Sequence, residues 1–119
     1  MDKPQAYSEL LTYFGNERFV LDTQRQIAID FAKFNLFFPE SFENTAFSKH
    51  EIELEISQLI SRFLSQGETR LLQLIYTIDL PEKDFLALTT HPNFVMELSK
   101  KILYREAMKV FLRMKFSNK

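Results

Sequence analysis

Two glycines, Gly15 and Gly67, and four prolines are the strongest backbone breakers in this chain of 119 residues. Proteins built from short strands need many turns, and turns draw on Gly, Pro, Asn and Asp. So few breakers restrict the chain to a handful of long helices. Apolar residues make up 45% and charged residues 26%, close to the globular average and enough to fill a core. The length fits one domain. The expectation is an all-α fold over residues 1–119. It is a compact bundle of four longer helices and one short one, with a long C-terminal helix.

The punctuation places the elements. Asp2 can cap a first helix with Pro4 inside its start, Leu10, Leu11 and Phe14 on its apolar side, and Gly15 as its stop. Asn16–Leu21 reads as loop. Asp22 or Thr23 caps a second helix, whose Ile27, Phe31, Phe34 and Phe38 follow the i, i+4, i+7, i+11 rule up to Pro39. Ile27, Ile29 and Phe31 also alternate as in a strand, but the helical period runs longer and no second strand exists to pair with it. Ser48-Lys49-His50-Glu51 is a capping box opening a third helix with Ile52, Ile56, Leu59 and Phe63 on one stripe. Gly67 separates it from a fourth helix bearing Leu71, Leu74, Ile75 and Ile78, and Pro81 opens a short helix through Leu88. The last helix starts at Thr90-His91-Pro92 and runs to about Phe116.

Six of the 13 phenylalanines lie between positions 31 and 47. Each ring can bury on the order of 200 Å². The ordinary role is core filling. The functional alternative is an aromatic patch or ligand pocket formed by Phe31, Phe34, Phe37 and Phe38, since large apolar patches mark contact sites.

Charge is sorted along the chain. Residues 100–119 carry seven basic groups and one acid, Glu106, for a net +6, whereas the first 99 residues net −7. At about 100° per residue, Lys101, Arg105, Lys109 and Arg113 form one ridge on the last helix, opposite Leu103, Ala107, Val110 and Met114. Leu112 lies amid the ridge and Met108 borders it. Such a ridge can be a solvated face, a dock for an acidic partner or nucleic-acid phosphate, or a membrane-surface contact. It can also dock internally, with the acidic Glu51–Glu55 turn as the expected counterpart. The acidic balance of the whole chain, with a pI near 6.1, argues against a dedicated nucleic-acid domain.

Most chemistry lacks the residues it needs. Cysteine is absent, and the two histidines, His50 and His91, have no helical metal-ligand spacing. Two isolated glycines cannot form a phosphate loop. Paired carboxylates such as Glu51/Glu55 have no second group placed opposite for acid–base work. No catalytic residue, cofactor or metal is expected. No apolar run reaches the length of a signal peptide or a membrane span, which points to a soluble, cytoplasmic protein.

Leu71–Glu82 (LLQLIYTIDLPE) and Arg105–Phe116 (REAMKVFLRMKF) together resemble a pair of segments that recurs in small all-helical bacterial proteins of unknown function. The resemblance covers the C-terminal half, implies an all-α bacterial protein, and brings no catalytic residues. The functional expectation is therefore a non-enzymatic interaction module that binds a protein partner or a second copy as a homodimer. Lys101, Arg105, Lys109, Leu112 and Arg113 are its candidate contact surface. Nucleic-acid binding through the same ridge and small-ligand binding beside the phenylalanines are the alternatives.

Overall fold

A computed structural model describes residues 3–117. These fold into six α-helices: α1 (Lys3–Tyr13), α2 (Glu17–Ala32), α3 (Lys49–Leu64), α4 (Glu68–Ile78), α5 (Glu82–Leu88) and α6 (Phe94–Ser117). A 3-10 turn spans Glu40–Glu43, and no strand occurs among the described residues. The all-helical class and the long C-terminal helix match the sequence. Five helices are long instead of four. None of the six is long and apolar enough to cross a membrane.

The bounds of α2 differ from expectation at both ends. Its cap is Asn16, whose Oδ1 accepts from the Phe19 amide at 3.0 Å. The stretch expected as loop is thereby helical, because Phe19 and Val20 must reach the core. The expected cap Thr23 is instead buried, its hydroxyl donating to Phe19 O at 3.0 Å. The Asp2 cap expected for α1 lies outside the described residues.

At its other end α2 stops after Ala32, well before Pro39. Asn35 takes the left-handed conformation (φ 59°). Its amide donates to Ala32 O at 3.1 Å, and the Leu36 amide donates to Phe31 O at 3.2 Å. This is a Schellman closure with Asn in the place glycine usually takes. Leu36 and Phe31, the apolar pair that accompanies such a closure, share the core. The chain reverses here, so Phe34 and Phe38 do not continue a helical stripe. Phe38 instead stacks on Phe42 at 4.1 Å, with ring planes 11° apart.

One side chain fastens the loop that follows. Gln24 is fully buried in α2. Its Nε2 donates to the carbonyls of Phe42 (2.6 Å) and Thr45 (2.9 Å), and its Oε1 accepts from the Phe47 amide at 2.7 Å. A buried amide must be satisfied, and here three backbone groups of the irregular segment are satisfied by it in turn.

The capping box of α3 forms as read: Glu51 N donates to Ser48 Oγ at 3.1 Å and Ser48 N to Glu51 Oε1 at 2.8 Å. Ile52, Ile56, Ile60 and Phe63 are fully buried along it. Gly67, at φ 127°, makes the short link to α4 in a region of backbone space that side chains disfavour. α4 ends in a second Schellman closure. Asp79 is left-handed (φ 68°), its amide bonds Tyr76 O at 3.1 Å, and the Leu80 amide bonds Ile75 O at 3.1 Å.

α6 is the central element, packed mainly against α3 and α2. Leu98, Ile102 and Leu103 join the main core with α3 and α4. Further along, Ala107, Val110 and Phe111 form a second cluster with Leu10 of α1 and Phe19 of α2.

Candidate functional site

The basic ridge does not face solvent as a free row. Arg105 Nη2 reaches Asp79 Oδ2 at 2.8 Å, Lys109 Nζ reaches Asp30 Oδ2 at 2.9 Å, and Arg113 Nη1 donates to Gln26 Oε1 at 2.8 Å. Lys101 and Arg113 are both exposed, and neither has an ion-pair partner among the described residues. The ridge docks internally, but on α2 and the end of α4 and not on Glu51–Glu55. Glu51 is committed to its capping box, and Glu53 is buried 3.7 Å from His50 Nδ1. Leu112 is half-buried against the second core cluster, because α1 lies along that end of α6.

The most unusual group of residues lies where α2 meets α6. Glu106 is fully buried and Asp30 nearly so, and both carboxyls meet the single ammonium of Lys109. Lys33 Nζ stands 3.4 Å from the other Asp30 oxygen. Neither oxygen of Glu106 receives a hydrogen bond. Its contact with Lys109 is close but lacks hydrogen-bond alignment. A buried carboxyl with no donor is explained if it is itself the donor, as a neutral acid bonded to Asp30. Burial, followed by the adjoining Asp30 carboxyl, pushes Glu106 up to about 8. Burial would raise Asp30 too, but its bonds with Glu106 and Lys109 hold it below 3.8. At neutral pH the cluster therefore carries one negative and one positive charge and is neutral overall.

Sequence reasoning missed this cluster. Glu106 registered only as the single acid in a basic stretch. Its signal is available in retrospect: an acid three residues before Lys109, one position from the apolar stripe of Leu103, Ala107 and Val110.

Immediately beside the cluster the two helices leave an open groove of about 470 Å³, lined by Asp22, Arg25, Gln26, Ile29, Val110, Arg113 and Met114. Its apolar floor includes Ile29, which is 56% exposed. Arg25 and Arg113 stand on its rim with Asp22, which lies 4.0 Å from Arg25 Nη1. Gln26 joins groove to cluster: its Nε2 donates to Asp30 Oδ2 at 3.3 Å while its Oε1 holds Arg113. A smaller recess of about 210 Å³ on the other side of Met114 is lined by Tyr13, Phe111 and Lys115.

The expected phenylalanine patch is divided. Phe31 is fully buried, Phe34 and Phe38 pack partly buried on the core, and Phe37 alone is exposed, at 65%. The turn at Asn35 separates them. Neither cavity is lined by these rings. Of the histidines, His91 serves the backbone, its Nδ1 accepting from the Asn93 amide at 2.9 Å. Among the described residues no group of three His, Cys, Asp or Glu side chains could hold a metal ion.

Comparison with known protein families, with curated proteins and with solved structures gives no match.

Proposed function

We propose that this chain is a non-enzymatic interaction module whose α2/α6 groove receives an apolar side chain flanked by carboxylates from a protein partner. The observation that carries this is the groove itself: an apolar lining in which Ile29 is exposed over the buried Val110, with Arg25 and Arg113 beside it. Apolar contact supplies affinity in such a site, and rim charge supplies orientation and choice of partner.

The chain itself presents such chemistry. Leu54 on α3 is exposed, with Glu51 three residues before it on the same helical face. A second copy is therefore the first partner to test. A groove on one copy and α3 on the next make a head-to-tail contact, not a self-complementary one.

The test is molecular mass in solution across concentration at low and high salt. Mass should rise above 14.2 kDa with concentration at low salt and fall back at high salt. Ile29→Glu and Leu54→Lys should each restore the monomer. A mass fixed at the monomer value removes the second copy as occupant. If Ile29, Arg25, Arg113 and Met114 resonances also ignore acidic amphipathic peptides, the groove is not a docking site.

A further inference from the structure

The two carboxyls and one lysine between α2 and α6 form a unit linked to the surface by the Gln26 amide and by Lys33. Glu106 contacts Asp30 and Lys109; Asp30 accepts from Gln26; Gln26 accepts from Arg113, which stands on the groove rim.

We infer that the Glu106–Asp30–Lys109 cluster is a proton-operated latch that sets the position of Gln26 and Arg113, and through them the shape of the groove. As regulation of docking it rests on the proposal above, whereas the latch itself rests only on the seam.

With Glu106 protonated, its hydroxyl donates to Asp30, Lys109 pairs with Asp30, and the buried unit is neutral. Loss of that proton removes the one donor between the carboxyls and puts two negative charges side by side on a single ammonium. Two adjoining carboxylates in a poorly solvated site repel strongly. Asp30 is the one with a way out: it is slightly less buried than Glu106, and Lys33, on its solvent side, stands 3.4 Å from it, so Asp30 moves. As Asp30 turns outward, Gln26 loses its acceptor and releases Arg113. The charges on the other helices at this end of α6 are engaged elsewhere. Asp79 after α4 holds Arg105, Lys49 of α3 lies over the Tyr104 ring at 4.8 Å, His50 of α3 pairs with Glu53, and Glu9 of α1 pairs with Lys115. The charged groups acting on Glu106 are Asp30 and Lys109, so the transition belongs near pH 8, with the fold otherwise unchanged.

The experiment is a carboxyl and side-chain ¹³C NMR titration of the full chain from about pH 5 to pH 10. Glu106 Cδ, Gln26 Cδ and Arg113 Cζ should move together with one midpoint near 8. Glu106→Gln should abolish that midpoint and hold Gln26 and Arg113 at their low-pH positions. Asp30→Asn should lower the Glu106 midpoint, because a like charge is gone. A Glu106 midpoint in the ordinary carboxyl range of about 4–5, or Gln26 and Arg113 signals that stay still while Glu106 titrates, overturns the latch. The wild-type titration decides the matter even if a variant fails to fold. No partner enters any of these readouts, so failure of the latch and failure of docking are separate results.

Discussion

Lys109 of α6 and Asp30 of α2 meet at 2.9 Å across 79 residues of sequence, and this contact fixes how the two helices sit. The ammonium also balances the charge of the buried Asp30 carboxylate. Removing one partner of a buried ionic group leaves the rest uncompensated, typically at about 3–5 kcal/mol. Lys109→Met should therefore cost about 3 kcal/mol, toward the low end, because the two carboxyls can still share a proton. Replacing the three residues together by apolar ones of similar size should cost far less. Urea denaturation of the single and triple variants at neutral pH separates the two outcomes.

Stability should fall, not rise, between mildly acidic and mildly alkaline pH. Glu106 has an ordinary value of 4.5 and a folded one of about 8. In that window the folded chain holds a proton that the unfolded chain has released. The folded state is thus increasingly disfavoured as pH rises from 4.5 toward 8, by at most ~1.4 kcal/mol per pH unit. Asp30 runs the other way: its depressed value adds stability above 3.8 that is lost as pH falls through the folded value. Burial would lower Lys109, but its bond to Asp30 and its close contact with Glu106 raise it above 10.5, so its contribution is lost only in strong alkali. Urea midpoints measured from pH 5 to 9 should decline for the wild type and flatten in Glu106→Gln.

The helices were legible in the sequence wherever local chemistry fixed them. Ser48 and Glu51 complete a cap within four residues, and the stripe from Ile52 to Phe63 needs no distant information. The ends of α2 were not legible, because Asn16, Asp22 and Thr23 are all competent caps and only tertiary burial of Phe19 chooses among them. Its C-terminal closure uses Asn35 in a left-handed position, and Asn at that place looks like any polar residue of a helix. The ridge was legible as a face but not as a docked one. Periodicity gives the direction of Lys109 relative to its own helix and says nothing of Asp30 waiting on another.

Gln24 should prove more important than a polar residue usually is. Gln24→Leu strands two carbonyls and one amide in the core, and each buried unsatisfied group costs about 1–3 kcal/mol. A loss of about 3 kcal/mol is expected, with faster amide exchange at Phe47 as the local sign that the 40–47 segment has loosened. Gln24→Glu is the sharper probe. Ionised, it can accept from Phe47 N but can donate to neither Phe42 O nor Thr45 O. Protonated, it recovers one of those donors. Its deficit against wild type should therefore shrink when denaturation is repeated near pH 4.

Asp79 sets a backbone requirement against an ion pair. Its φ of 68° favours glycine, and relieving a side chain in that conformation gains about 1 kcal/mol. Its bond to Arg105 is at 2.8 Å, but the Asp79 side chain is 79% exposed, and exposed pairs contribute about 0–1 kcal/mol. The two effects nearly cancel in Asp79→Gly, so its stability should stay within about 0.5 kcal/mol of wild type. Asp79→Ala loses the ion pair and keeps the strained backbone, and should fall about 1–2 kcal/mol below Asp79→Gly. Denaturant midpoints of the two variants at neutral pH test the difference. Equal stabilities would show that the left-handed turn before Pro81 costs an L-residue nothing here.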